Sequence, residues 1–188
     1  LLVAGLVLRS KKLHSDPLRL AQHLMNKNDV AGATLVLRDA RMETDLEGLL
    51  AQYYEKQGKI EPALDHYLKS GAPEKVIELY GRSRARTKEV TNITAEAFME
   101  LGRYSKAREL FGQTGSHLNV ARVYEKEGQH IKAVEVRVKY FLKTKSYRAA
   151  MRELLSVDRI DEAATIAFEQ QDYKSAAVLF ARVNNTEM

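Results

Sequence analysis

A chain of 188 residues has room for one ordinary domain or for five or six repeats of about 30 residues. Hydrophobic residues at 45% and charged residues at 29% are enough for a buried core, which excludes a disordered class, and three Pro with ten Gly are too few for a β-sandwich with a turn every ten residues. Zero Cys removes disulfide frameworks, thiolate zinc sites and cysteine nucleophiles together, and suits a reducing, cytoplasmic setting.

The net charge of +5 conceals an uneven distribution. Residues 1–80 are neutral, with 11 basic and 11 acidic side chains. Residues 81–152 carry 16 basic and 7 acidic, a net of +9, and residues 153–188 carry 3 basic and 7 acidic, a net of −4. Such an asymmetry steers an acidic partner, or the acidic end of another copy, toward the basic middle.

In chain order, the first segment is the apolar run Leu1-Leu2-Val3-Ala4-Gly5-Leu6-Val7-Leu8, followed by Arg9, Lys11 and Lys12. Eight apolar residues fall short of the roughly 20 that cross a bilayer. Basic residues directly behind an apolar run match the cytoplasmic flank of a membrane helix, so residues 1–15 read as the end of a membrane anchor that begins upstream, with the remainder cytoplasmic. The competing reading is an amphipathic first helix of the array that follows.

From residue 16 onward one phrase recurs: a turn residue, any residue, an apolar residue, two more positions, then Ala. Its copies begin at Asn28, Gly58, Gly102, Gly128, Lys145, Asp158 and Gln171, with Ala33, Ala63, Ala107, Ala133, Ala150, Ala163 and Ala176 as anchors. Two further copies, beginning at Gly71 and Gly115, place Val76 and Val120 at the anchor. Physically this is a tight turn between two helices: Gly, Asn or Asp takes positive φ at the helix end, and the small anchor lets a neighbouring helix approach closely. Four residues beyond the anchor stand Leu37, Tyr67, Tyr80, Phe111, Tyr124, Leu154 and Phe180, on the same helix face. The spacing predicts twelve helices over 18–27, 30–40, 43–57, 60–70, 73–82, 87–101, 104–114, 117–127, 130–144, 147–157, 160–170 and 173–184. Between anchors 33 and 63, and between 76 and 107, one anchor is too degenerate to see. The helix at 130–144 is longer by about one turn. Within it, Val134-Glu135-Val136-Arg137-Val138-Lys139-Tyr140 alternates like a strand. A lone strand would have no partner in a helical array, and Ala133, Val136, Tyr140 and Phe141 also share a helical face.

These residues resemble tetratricopeptide-type repeats, whose helix pairs read Leu-Gly/Ala-x-x-Tyr and then Gly-x-Tyr-x-x-Ala-x-x-x-Phe. Here Leu50, Ala51 and Tyr54 precede Gly58, Ile60, Ala63 and Tyr67, and Ala95 and Phe98 precede Gly102, Tyr104, Ala107 and Phe111. Weaker copies begin at Leu20 and Val120, so the resemblance spans residues 16–184 and leaves 185–188 as a tail. The hairpin spacing of about 29 residues is shorter than the family's 34 and is similar to the helical arrays of vesicle-coat and intraflagellar-transport subunits. The resemblance implies an all-α fold, a right-handed α-solenoid of about six antiparallel helix hairpins. It also implies a non-enzymatic protein–protein scaffold, a subunit or adaptor of a larger and membrane-associated assembly, with no catalytic residue and no cofactor.

The five His, at 14, 23, 66, 117 and 130, form no metal-binding pair, and no phosphate-binding Gly-rich loop is present. Tyr53, Tyr54, Tyr67 and Tyr80 stand at helical spacing, as core residues do. Two basic groups remain as the candidate protein-binding surface: Arg82, Arg84, Arg86 and Lys88, where the repeat is least visible, and Arg137, Lys139, Lys143, Lys145, Arg148 and Arg152 around the long helix and the turn after it. The expected partner is a protein with an acidic surface or segment, self-association included. The alternative is nucleic-acid binding through residues 81–152, which would need aromatic rings facing the strand. The last hairpin is expected to expose an apolar face that a further repeat or another chain covers.

Overall fold

The structure, a computed structural model, describes residues 16–186. The apolar run with Arg9, Lys11 and Lys12 lies outside the described residues. Every regular element among the described residues is an α-helix. The twelve helices are α1 (Pro17–Asn26), α2 (Val30–Asp39), α3 (Glu43–Lys56), α4 (Ile60–Lys69), α5 (Pro73–Arg82), α6 (Lys88–Glu100), α7 (Tyr104–Gln113), α8 (His117–Lys126), α9 (His130–Lys143), α10 (Tyr147–Leu155), α11 (Ile160–Glu169) and α12 (Tyr173–Thr186). They lie within a residue or two of the predicted positions. The last runs two residues past the predicted end, into the expected tail, because no Gly or Pro stops it at Asn184.

The turns show why the array forms. All nine residues that open a copy of the phrase have positive φ: Gly58, Gly71, Gly102, Gly115 and Gly128 between +68° and +78°, and Asn28, Lys145, Asp158 and Gln171 between +56° and +65°. A tenth, Arg41 at +56°, opens the copy whose anchor is Leu46. At Gly58, its N–H reaches the Glu55 carbonyl at 2.9 Å and the Lys59 N–H reaches the Tyr54 carbonyl at 3.0 Å, a Schellman pair that satisfies the helix's last carbonyls. The same pair recurs at Gly128 and Gln171. Three-residue turns of this kind reverse the chain, so consecutive helices run antiparallel.

The second hidden copy has a different cause. Between α5 and α6, Ser83 leaves the helix in extended conformation (φ −80°, ψ 158°), residues 83–87 are non-helical, and Thr87 caps α6 by accepting the Val90 N–H at 3.2 Å.

The described residues pack as two compact units, one up to Leu101 and the other from Gly102. In the first, α1 through α6 form three hairpins; α3 with α4 and α1 with α2 pack most extensively. Ala21, Ala33, Leu37 and Leu46 make one core, and Ala51, Ala63, Leu64, Tyr67, Val76, Leu79, Val90 and Ala97 another. Glu55 ties three helices together, accepting from the Tyr67 hydroxyl at 2.5 Å and the Arg82 guanidinium at 2.7 Å. Burial first, then this bond to Glu55, raises the Tyr67 phenol above its ordinary range.

In the second unit, α7 through α12 form three more hairpins, with Ala150, Leu154, Ile160, Ala163, Ala164, Ile166 and Leu179 as a core. All seven predicted Ala anchors are buried: six are 0% exposed and Ala176 is 2%. The alternating segment is helical within α9, with Ala133 and Val134 buried and Glu135 and Lys139 exposed. Of the large residues expected in the core, Tyr53, Tyr54, Tyr80 and Tyr124 are half-buried at its edge, and one is exposed. Phe180 holds the same repeat position as the fully buried Phe111 yet is 41% exposed, because α12 packs mainly against α11. Tyr173 on α12 and Phe168 at the end of α11 are also exposed, their rings 5.6 Å apart, and with Phe180 they form the apolar face expected of the last hairpin, while Val178 is exposed on the other side of α12.

Candidate functional site

The two predicted basic groups fall in different units. In the first, Arg82 is held by Glu55 at 2.7 Å and lies 3.7 Å from Glu78. Arg86 folds back to donate to the carbonyls of Ala85 (2.7 Å) and Ser83 (3.0 Å), and its guanidinium covers the Tyr80 ring at 4.0 Å. Arg82 therefore ties α5 to α3, and Arg86 shapes the 83–87 connection. Arg84 and Lys88 are exposed and have no hydrogen bond or ion pair among the described residues.

In the second unit, Arg137 is committed to the fold. Its guanidinium, on α9, donates to Glu125 on α8 at 2.5 Å and to Glu153 on α10 at 2.6 Å, bridging three helices. Lys145 is exposed in the turn, at φ +56°. The other four line two clefts of about 550 Å³ each.

The first cleft runs between α7 and α9 over α8. Lys139 and Lys143 stand on one wall and Arg108 and Glu109 on the other, with Val120, Tyr124, Val136 and Tyr140 beneath. Arg108 is already engaged: it pairs with Glu127 and lies 4.7 Å over the Tyr124 ring. The aromatic rings of this basic region are half-buried in helix packing, with Tyr140 against Phe141 at 5.6 Å and His117 at 6.1 Å.

The second cleft lies between α10 and α12. Arg148, Met151, Arg152 and Leu155 form one wall, and Lys174, Ser175, Val178 and Leu179 the other. The first set falls at i, i+3, i+4 and i+7, a single stripe of α10. The side chains of Arg148, Arg152 and Lys174 have no hydrogen bond or ion pair among the described residues. The cleft's one carboxylate, Asp172, faces its own helix: it accepts from the Ser175 hydroxyl at 2.8 Å and the Ser175 N–H at 3.2 Å. Those bonds, more than nearby Arg148 and Lys174, hold it below the usual carboxylate range. Three cations thus face one ionised, internally satisfied carboxylate. Sequence reasoning found Arg148 and Arg152 and missed Lys174, which stands in the acidic final segment; the stripe on α10 was the available signal for the apolar wall.

A further cleft of about 450 Å³ between α1 and α3 is largely polar, and there the Tyr53 hydroxyl donates to Asn28 at 2.8 Å. His66 sits 2.6 Å from Glu47 and stacks on Tyr54 at 5.3 Å, so its position follows from packing. Among the described residues no three or more His, Asp or Glu are grouped to hold a metal ion, and no helix is long and apolar enough to cross a membrane.

No family model matches the chain, and no curated protein does. Two solved structures from Podosopora anserina are similar to it, both described as a putative kinesin light chain with nearly identical TPR-like repeats, one of them a point variant. The point variant is 19% identical over 93% of this chain and 93% of its own, with a TM-score of 0.32; the other is 19% identical over 92% and 96%, with a TM-score of 0.33. Superposition at that level is loose, and the architecture rests on the helices themselves: the fold is all-α, built from tetratricopeptide-like hairpins.

Proposed function

We propose that this chain is a non-enzymatic protein-interaction scaffold, a subunit or adaptor of a larger assembly that captures protein partners through acidic segments. The carrying observation is the pairing of uncommitted cations with apolar walls in the second unit: Arg148, Arg152 and Lys174 beside Met151, Leu155, Val178 and Leu179. Each exposed ion pair is worth only about 0–1 kcal/mol, so charge sets encounter rate and partner choice while apolar contact supplies affinity. A phosphate backbone would use the cations and leave the apolar walls unmatched. The rings that could stack on bases, Tyr124 and Tyr140, are occupied within the helix packing, which favours a protein partner over a nucleic acid.

The test compares two fluorescent probes on the purified chain: a Glu-rich peptide with interspersed Leu, and a single-stranded oligonucleotide. The scaffold reading expects the peptide to bind with a shallow salt dependence. Oligonucleotide binding alone, falling steeply with salt, would replace it with the nucleic-acid reading.

A further inference from the structure

The cleft between α10 and α12 has more definition than a basic patch, and resting on the scaffold reading we infer that it is a docking groove for an amphipathic helix with acidic flanks.

Three observations carry this. The first is the way the two walls part. Both α10 and α12 pack on α11, and they are not themselves among the helix pairs in extensive contact, which leaves a space between them. The space between α10 and α12 is about 550 Å³, within the range of pockets that enclose several side chains. The second is its length. The α10 wall from Arg148 to Leu155 spans seven residue steps, about 10 Å or two helical turns, so an incoming helix would set two or three apolar side chains against Met151, Leu155, Val178 and Leu179. Val178 is 63% exposed, and Met151 is an adaptable contact for side chains of different shapes.

The third observation is charge. Arg148 and Arg152 stand one turn apart on one rim, with Lys174 across from them. Carboxylates at i and i+4 on a docked helix repeat the spacing of the two guanidiniums, while a second acidic row meets Lys174. Asp172 does not compete, because both its oxygens are taken by Ser175. An acidic segment without an apolar row would leave the walls wet, and a basic amphipathic helix would be repelled.

The probe is a capped, labelled peptide of about 16 residues with Leu at every third and fourth position and Glu elsewhere, titrated with the intact chain by fluorescence anisotropy. Two controls share its length: the same composition scrambled so that Leu leaves the single face, and the Leu/Lys counterpart. The groove predicts that the acidic amphipathic peptide binds about tenfold or more tightly than either control. Arg148→Glu/Arg152→Glu, and separately Val178→Glu, should each weaken binding by about tenfold, while Lys139→Glu/Lys143→Glu changes it less than about threefold. All of these residues are at the surface, and unchanged helical circular dichroism verifies the fold of each variant.

Equal binding of the scrambled peptide, or a loss confined to Lys139→Glu/Lys143→Glu, would overturn the groove and leave the scaffold reading standing. Binding abolished by concentration-dependent dimerisation of the chain would give the groove to a second copy and likewise overturn the inference. Failure of every acidic peptide, with the oligonucleotide bound, would remove the scaffold reading itself.

Discussion

Phe111 and Phe180 hold the same place in the repeat, four residues beyond an Ala anchor, and both belong to the second unit. Phe111 is 0% exposed and Phe180 is 41% exposed. If burial rather than repeat register sets the energetics, Phe111→Ala loses the transfer energy of a whole ring and leaves a cavity, roughly 3–5 kcal/mol. Phe180→Ala leaves no cavity, since solvent already reaches the ring, and Ala returns about half a kcal/mol through its better helix propensity. The expected cost is about 1 kcal/mol or less. Urea unfolding followed by circular dichroism at 222 nm gives both values from the same unit. Equal losses at the two positions would refute the reasoning and mean that Phe180 is covered in solution by something the free chain supplies.

Thr87→Ala removes the cap that accepts the Val90 N–H and should lower stability by about 0.5–2 kcal/mol, with Thr87→Ser largely restoring it in the same thermal melt. At the turns, Gly102→Ala places a Cβ at φ +69° and should cost about 1–2 kcal/mol, whereas Gln171→Gly, at φ +60°, relieves a similar strain and should stabilise; both are read from urea midpoints. The Tyr67 phenol, raised by burial and by Glu55, stays neutral in the folded state above the ordinary tyrosine range. Its stabilising contribution is therefore present below the unfolded pKa of about 10 and disappears as pH rises through the higher folded value. Phenolate absorbance should show one tyrosine titrating after the others, and Tyr67→Phe should remove that late step.

Much of the fold was readable in the sequence because its punctuation is stereochemical. Positive φ falls at each of the nine residues the repeat marked as turns, and the small anchors are buried because a neighbouring backbone needs their space. The two hidden copies failed for different reasons. Arg41 opens a turn of the usual geometry, but neither it nor Leu46 carries the Gly/Ala signal. The 83–87 connection has no left-handed turn at all and ends on a Thr cap. The site was less readable, since charge counted along the chain says nothing about partners in space. Arg137 looked like its basic neighbours, yet its carboxylates arrive from Glu125, 12 residues before it, and Glu153, 16 after it. Phe180 likewise obeyed the repeat and lay outside the core, because register states which face a residue occupies and not whether a neighbour covers that face.

Met151 lies in the wall of the α10–α12 cleft, whereas Met25, Met42 and Met99 belong to the first unit. A titration of the methyl-labelled methionine chain with the acidic amphipathic peptide, followed by two-dimensional NMR, therefore reads occupancy of the cleft directly. Capture of an acidic partner there predicts that the Met151 methyl shifts and saturates with the peptide's binding curve while Met25, Met42 and Met99 hold still. Saturation of the peptide with Met151 unmoved would contradict it.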